Sequence, residues 1–179
     1  MSDRIAMDAA AVERTLAVMA REVQERGRGG ELAIVGIRRG GEHLAGRLRR
    51  ALAAGGREPP LGTLDIALYR DDLSERSPAP VVGPTHIPFS VTGKTIVLVD
   101  DVLYTGRTVR AALDELVDFG RPHRVLLAVL VDRGGRELPI AADVVGLALA
   151  VPEAEQVEVR LVESGAARDE VVVQRRGQP

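Results

Sequence analysis

Two kinds of apolar pattern alternate along the chain. In residues 8–26, 42–54 and 108–119, apolar side chains recur every three or four positions, which is typical of helices with one buried face. Asp8 can cap the first helix, and a glycine follows each of the three, as at a helix end. The runs between them are apolar throughout or alternate, so we predict strands over residues 31–37, 61–70, 95–101, 124–132 and 142–151, the last with a break at Gly146.

This alternation predicts the fold class. Inner strands that are apolar on both faces are typical of an α/β protein with a mainly parallel sheet flanked by helices on both faces. Two alternating segments, 157–163 and 170–174, predict a C-terminal β-hairpin. The length fits a single domain over residues 1–179. Residues 70–90 are rich in Asp, Ser, Pro and Gly, and predict a long flexible loop within that domain.

Composition narrows the classes of function. The chain has no cysteine, which excludes a thiolate nucleophile and a cysteine-based zinc site. Its 24 basic and 26 acidic residues nearly balance, so no global basic field attracts nucleic acid. The first residues include acids where a signal peptide is apolar, and no apolar run is long enough to cross a membrane. We therefore expect a cytoplasmic protein without membrane partners.

Candidate chemistry lies at the ends of three predicted strands. RRGG, residues 38–41, follows the strand 31–37. DDVLYTGRT begins at residue 100, and DRGGRELPI begins at residue 132, each at the end of another strand. Ligands of parallel α/β sheets bind at the carboxyl ends of the strands, so these three segments form the candidate site.

The segment that begins at residue 100 combines two acids with a loop suited to phosphate. Gly106 lets the backbone approach an anion, Thr105 and Thr108 offer hydroxyl donors, and the following helix presents free N–H groups. The carboxylates of Asp100 and Asp101 suit the two vicinal hydroxyls of a ribose. Phosphate and diol together describe ribose 5-phosphate. The alternative is a strand–turn–helix junction in which an Asp serves only as an N-cap.

Longer stretches of the sequence resemble a known family. VLVDDVLYTGRT resembles the signature with which type I phosphoribosyltransferases bind 5-phosphoribosyl-1-pyrophosphate (PRPP). LDIALYRDDLSE from residue 64, FGRP from residue 119 and LAVLVDRGGRELPIAAD from residue 127 resemble the pyrimidine-operon attenuator and uracil phosphoribosyltransferase family. The resemblance implies the type I phosphoribosyltransferase fold and an enzyme that joins uracil to PRPP, giving UMP and pyrophosphate. It also implies Mg²⁺ as the cofactor, held through PRPP and not by direct protein ligands, and a homo-oligomer, either a dimer or a higher assembly.

The resemblance assigns roles to individual residues. Asp100 and Asp101 contact the ribose in catalysis, and Arg70 meets the pyrophosphate from a hood formed by the loop 70–90. The 5-phosphate loop comprises Val102, Leu103, Tyr104, Thr105, Gly106, Arg107 and Thr108. The pyrophosphate loop comprises Arg38, Arg39, Gly40 and Gly41. The base is surrounded by Val131, Asp132, Arg133 and Ile140. The alternatives are a solvated loop around Arg70, a basic turn at residues 38–41, and a sheet-edge turn held by an Arg133–Glu137 pair.

Several positions depart from the family's pattern. Where the family has Thr-Arg-Gly in the pyrophosphate loop, this chain has Arg39, Gly40 and Gly41, which shifts the positive charge by one position. Many members of the family also bind leader RNA of the pyrimidine operon when UMP or UTP is present. On the expected RNA face, small or apolar residues replace basic or polar ones at Ala17, Val18, Gly135, Ala141 and Leu147, while Arg21, Arg26 and Arg136 remain.

These departures bear on the RNA role, because RNA binding needs clustered cations or planar donors. We predict that the transferase is kept and that attenuation is weakened or lost. One alternative is drift compensated by nearby arginines such as Arg14 and Arg28. Another is a UMP-responsive, RNA-binding regulator with little catalysis. A third is a transferase for another nucleobase, such as hypoxanthine or guanine.

Overall fold

Strands and helices alternate along most of the chain. A computed structural model describes residues 3–66 and 85–176. In chain order the elements are β1 (Arg4–Met7), α1 (Ala9–Arg26), β2 (Leu32–Ile37), α2 (Gly41–Ala54), β3 (Leu61–Leu64), β4 (Thr95–Leu103), α3 (Arg107–Asp118), β5 (Arg124–Asp132), β6 (Val144–Ala148), β7 (Glu155–Arg160) and β8 (Glu170–Arg175). A short 3₁₀ turn, Val162–Ser164, lies between β7 and β8.

Five of the strands form a parallel sheet in the order β3-β2-β4-β5-β6. The central strand β4 pairs with β2 on one side and with β5 on the other, so that Val99 lies between Gly36 and Ala128. All six residues of β2 are buried, as are the first six of β4. Strands that are buried on both faces have continuous apolar sequences, and this pattern predicted a parallel sheet. The observed strand order confirms the prediction.

The helices cover both faces of this sheet. Ile34 and Val97 point to the face on which α1 and α2 pack. Their sequence neighbours Ala33 and Ile96 point to the opposite face, which α3 covers. Successive side chains of a strand alternate between faces, so each apolar strand serves two cores. No helix in the described part of the chain is long and apolar enough to cross a membrane.

A second, antiparallel sheet has the order β1-β8-β7. The pairing of β7 with β8 confirms the predicted C-terminal hairpin. The strand β1 was not predicted, because its four residues include only one that is fully buried, Met7. Its hydrogen-bond partners come from β8, at the other end of the chain, and no local pattern signals such a pairing.

The predicted break in β6 is wrong. The strand runs from Val144 through Gly146 to Ala148 without interruption. Gly146 serves close packing instead, since a Cβ atom there would lie 2.6 Å from the carbonyl oxygen of Leu130 and 2.7 Å from a methyl group of Thr15 in α1. A glycine inside a strand often marks such a close approach of two elements.

The predicted loop 70–90 lies partly outside the described residues. Its last part returns to the edge of the parallel sheet, where Thr63 and His86 exchange two backbone hydrogen bonds of 2.8 Å. Of the predicted strand 61–70, residues 61–66 are described, and among them the strand covers only Leu61–Leu64.

Candidate active site

The acid pair lies near the C-terminal end of the central strand. Asp100 and Asp101 belong to β4, which continues to Leu103. Asp100 is only 4% exposed, and the backbone N–H of Asp101 donates to its Oδ1 (2.9 Å). Oδ1 of Asp101 in turn accepts from the N–H of Val102 (2.8 Å). These two bonds fix the directions in which the carboxylates point.

The two carboxylates of the acid pair are electrostatically unfavourable next to each other. Burial raises the pKa of Asp100 well above its ordinary value, and the charge of Asp101 adds to the effect. Burial also raises the pKa of Asp101, although the N–H of Val102 partly offsets it. Titratable groups with a burial cost of this kind concentrate at functional sites. Hydroxyl groups that donate to the two carboxylates, or a nearby cation, would relieve the repulsion.

A cavity lies next to the acid pair, at the turn that follows β4. The turn after β4 passes through Gly106, whose φ of +93° favours glycine, and α3 begins at Arg107. The hydroxyl oxygen of Thr105 accepts from the N–H of Arg107 (3.3 Å). The turn borders a cavity of about 410 Å³, which is lined by Asp100, Val102, Leu103, Tyr104, Thr105, Gly106, Arg107, Thr108, Val109, Glu137 and Arg176. The cavity thus joins a helix N-terminus, two hydroxyls and a buried acid, as the sequence predicted.

The segment 38–41 packs directly against the acid pair. A Cβ atom at Gly40 would lie 2.5 Å from Oδ2 of Asp101, and one at Gly41 would lie 2.3 Å from the carbonyl oxygen of Val99. Gly40 has φ +100°, and the peptide bond between Arg38 and Arg39 is cis. Only glycine fits a backbone this close to another strand. The loop predicted to face pyrophosphate therefore adjoins the residues predicted to face ribose.

The electrostatics of this loop differ between its two arginines. Arg38 is half-buried, and its Nε lies 3.1 Å from a carboxylate oxygen of Glu42 in α2. That contact lacks hydrogen-bond geometry, so the buried Nε has no hydrogen-bond partner. Arg39 is exposed at the turn. An anion bound at this loop would therefore lie near one half-buried guanidinium, that of Arg38, and one exposed guanidinium, that of Arg39.

Arg136 ties the segment 132–140 to the phosphate loop. Nη2 of its guanidinium donates to both carboxylate oxygens of Asp132, at 2.6 and 2.7 Å. Nη1 donates to the carbonyl oxygen of Tyr104 (2.8 Å), and Nε donates to that of Ile140 (3.0 Å). Burial raises the pKa of Asp132, but the hydrogen bonds from Arg136 and from the N–H of Gly134, together with the charge of Arg136, outweigh burial, so the pKa is lowered. The sequence had placed Arg136 among cations that remain for RNA. Its donors are instead used within the site.

Arg133 connects the same segment to the C-terminal hairpin. It is 4% exposed, its guanidinium lies 3.8 Å from the centre of the Tyr104 ring, and it donates to the carbonyl oxygens of Glu155 (3.0 Å) and Val151 (3.2 Å). The alternative of an Arg133–Glu137 pair is wrong, because Glu137 pairs with Arg107 at 2.8 Å. The side chain of Arg133 thus packs on the ring of Tyr104 and ties it to the C-terminal hairpin.

Most of the predicted site residues come together. Asp100 and the loop Val102–Thr108 line one cavity, with Asp101 and the segment 38–41 beside it. Ile140 also adjoins the phosphate loop, since a Cβ atom at Gly106 would lie 3.4 Å from it. Val131 is fully buried in β5. Arg70 lies outside the described residues.

Two residues of the cavity were missed by the sequence interpretation. Glu137 lines it and pairs with Arg107, and its place in the segment DRGGRELPI could have signalled this. Arg176 lines it from the end of β8. Arg176 was missed because the contact between the C-terminal hairpin and the residues of this cavity is a tertiary contact that no local pattern signals.

Comparison with known proteins agrees with this geometry. Residues 7–160 match the family described as the phosphoribosyl transferase domain. The bifunctional protein PyrR of Roseiflexus sp. (strain RS-1) is 52% identical over 177 residues, which cover 98% of this chain and 97% of the relative. PyrR of Listeria monocytogenes serotype 4a (strain HCC23) is 51% identical over 174 residues, covering 94% and 95%.

A solved structure shares the fold. The hypoxanthine-guanine phosphoribosyltransferase of Bacillus anthracis superimposes with a TM-score of 0.70 at 15% identity, covering 96% of this chain and 98% of the other. At this identity the likeness concerns the fold alone. The family is identified more closely by two findings. Residues 7–160 match the domain family, and the chain is 52% identical to a PyrR protein over nearly its full length. The chain therefore belongs to the PyrR family of phosphoribosyltransferases, the pyrimidine-operon attenuator and uracil phosphoribosyltransferase family that its motifs resemble.

Proposed function

We propose that this protein transfers the phosphoribosyl group of PRPP to uracil in the cytoplasm, giving UMP and pyrophosphate. One observation carries the proposal: the buried acid Asp100 and a phosphate loop border the same cavity, with Asp101 next to Asp100 in the chain, and the chain is 52% identical to a PyrR protein. A ribose 5-phosphate group bound there would place its hydroxyls at Asp100 and Asp101 and its phosphate at residues 104–108. The glycine-rich segment 38–41 would then face the pyrophosphate.

The residues have distinct tasks in this reaction. As pyrophosphate leaves, positive charge builds on the ribose ring, and the protein must position the base and exclude water. The buried carboxylates of Asp100 and Asp101 hold the ribose hydroxyls and supply negative charge close to that ring. Backbone groups near Val131, Asp132 and Ile140 would orient the base edge. Arg70, in the loop 70–90, is proposed to meet the pyrophosphate.

The acid pair also fits a substrate that carries a cation. Burial and mutual repulsion raise the pKa of Asp100, so a positive charge nearby favours its ionised form. Mg²⁺ binds oxygen ligands and accompanies phosphate groups, so we assign it to the oxygens of PRPP near Asp100 and Asp101. When bound, the metal neutralises charge on the leaving pyrophosphate.

The test is an assay of PRPP and Mg²⁺ with each nucleobase in turn, in which pyrophosphate release is measured. We expect release with uracil and at least 100-fold less, on the order of 3 kcal/mol, with hypoxanthine or guanine, since a base edge left unpaired is strongly disfavoured. Pyrophosphate release with a purine but not with uracil would show that the substrate is a purine base. Failure to release pyrophosphate with any base would eliminate the enzyme proposal, and UMP-dependent RNA binding would then favour a regulator.

The RNA role is proposed to be weakened or lost. Val18 is 57% exposed on α1, Ala17 and Ala141 are exposed, and none of the three can hold phosphate. Leu147 packs against the core. Of the cations that remain on this face, Arg136 is used by Asp132. Arg26 pairs with Glu22 (2.8 Å) and Arg21 is exposed. Loss of each phosphate contact lowers affinity and its salt dependence.

A gel shift with pyrimidine-leader RNA in the presence of UMP tests this second proposal. We expect the unmodified chain to bind no more tightly than about 1 μM, in the range of non-specific binding. The double variant Val18→Arg/Ala141→Arg, which adds two exposed cations, should bind more tightly and with a steeper dependence on salt. Submicromolar binding that is specific for the leader and requires no substitution would overturn the proposal.

A further inference from the structure

The C-terminal strand brings an arginine to the phosphate cavity. Arg176 follows the last residue of β8 and lines the same cavity as the loop Tyr104–Thr108. Its backbone is held in place, since its N–H donates to the carbonyl oxygen of Ala154 (2.9 Å) at the start of the hairpin. The position of this side chain at the cavity therefore follows from the antiparallel pairing of β7 with β8.

The charges around the cavity are unequal. Arg107 and Glu137 face each other at 2.8 Å and largely offset one another. The other acid of the cavity, Asp100, is 4% exposed, and its Oδ1 accepts from the N–H of Asp101 (2.9 Å). In residues 3–66 and 85–176, Arg176 forms no ion pair with an acidic side chain. The cavity thus carries a guanidinium that no acidic side chain of the described residues pairs with.

A second arginine makes this arrangement still less favourable without a ligand. The guanidinium groups of Arg133 and Arg176 both lie over the Tyr104 ring, at 3.8 and 5.3 Å from its centre. Burial lowers the pKa of Arg133, and the like charge of Arg176 contributes to the same shift. Of the two, only Arg176 lines the cavity, so an anion beside the helix N-terminus would lie next to Arg176 and offset its repulsion with Arg133.

We propose that Arg176 is a further binding residue for the 5-phosphate of PRPP and UMP, supplied to the phosphate loop by the C-terminal strand. This inference rests on the proposed transferase site. The helix N-terminus and the hydroxyls of Thr105 and Thr108 surround the phosphate on one side, and Arg176 closes the cavity on another. The 5-phosphate is bound equally well in the ground state and in the transition state. Loss of its contact with Arg176 should therefore raise KM and leave kcat nearly unchanged.

The chain offers a matched control at the preceding residue. Arg175 is also exposed and carries the same charge, but it does not line the cavity. Adjacent side chains of a strand point to opposite faces, so the two arginines differ in direction and not in type. We expect Arg176→Gln to raise the KM for PRPP roughly tenfold, as for a lost charge-assisted hydrogen bond, and to leave kcat within about twofold. Arg176→Lys should recover part of the loss, and Arg175→Gln should leave KM within about twofold.

A binding measurement separates this inference from the proposed function. Titration calorimetry with ribose 5-phosphate, on the full chain and both glutamine variants, needs no turnover. A weaker affinity in Arg176→Gln alone supports the contact even if no base gives pyrophosphate release, in which case only the transferase proposal fails. Equal losses in both variants would show a long-range charge effect, and no loss in either would show no contact. Both of these results overturn the assignment of Arg176.

Discussion

An Asp101→Asn variant is expected to lose roughly 100-fold in kcat/KM for PRPP while it keeps its fold. Asparagine preserves the shape of the side chain and an oxygen that can accept from the N–H of Val102. It removes the charge that holds the ribose hydroxyls and offsets the positive ring in the transition state. The measurement is the rate of pyrophosphate release over a range of PRPP concentrations.

Stability should change in the opposite direction to activity. Burial raises the pKa of Asp101 in the folded protein, so the unfolded chain gives up its proton at a lower pH. Between the unfolded and the raised folded pKa, the folded state binds more protons, and the free energy of unfolding falls as pH rises. Above the pKa of Asp101 in the folded protein, the full free-energy cost of burying its ionised carboxylate remains. The neutral asparagine removes that cost, so the melting temperature at pH 8 should equal or exceed that of the parent protein.

An exposed carboxylate supplies the control for this variant. Asp114 lies on the outer face of α3, paired with Arg110 at 3.2 Å, and Asp114→Asn should alter neither activity nor stability appreciably. Unchanged activity in Asp101→Asn would show that the ribose site lies elsewhere. A large drop in its melting temperature would show that the carboxylate serves the fold.

Gly41→Ala is expected to destabilise the protein by about 3 kcal/mol, which lowers the melting temperature by about 6 to 12 °C. The added methyl group would lie 2.3 Å from the carbonyl oxygen of Val99 and 3.0 Å from the Cα of Asp100. Both are backbone atoms of the central strand, so neither can move aside cheaply. The forced shift would also displace the acid pair, and activity should fall together with stability.

Gly46→Ala in the same helix is the matched control. Nothing lies within 4 Å of a Cβ atom at Gly46, and alanine is the better helix former. This variant should be more stable by about 0.5–1 kcal/mol with activity unchanged. Thermal unfolding measured by circular dichroism compares the two. Equal stability of both variants would contradict the tight packing of the loop 38–41 against β4.

Local patterns predicted what local physics determines. The apolar runs of β2, β4 and β5 and the phosphate turn at Gly106 were identified because each is specified within ten or so residues. The uses of Arg133 and Arg136 were not, because their partners at Glu155 and Tyr104 are fixed by tertiary packing. Likewise β1 pairs with a strand at the other end of the chain, and Arg176 reaches the cavity because the C-terminal hairpin packs against the segment 132–140. A single domain over residues 1–179, an oligomer and a role for Arg70 stay predictions.

The position of Tyr104 has a practical use in spectroscopy. The chain has no tryptophan and two tyrosines, Tyr69 and Tyr104. Tyr104 lines the phosphate cavity beneath the guanidinium of Arg133, and Tyr69 directly precedes Arg70 in the chain. Near-ultraviolet absorption and intrinsic fluorescence of this protein therefore arise chiefly from two side chains, one of which, Tyr104, lines the cavity. A ligand that enters the cavity can be followed optically in the unlabelled, unmodified chain.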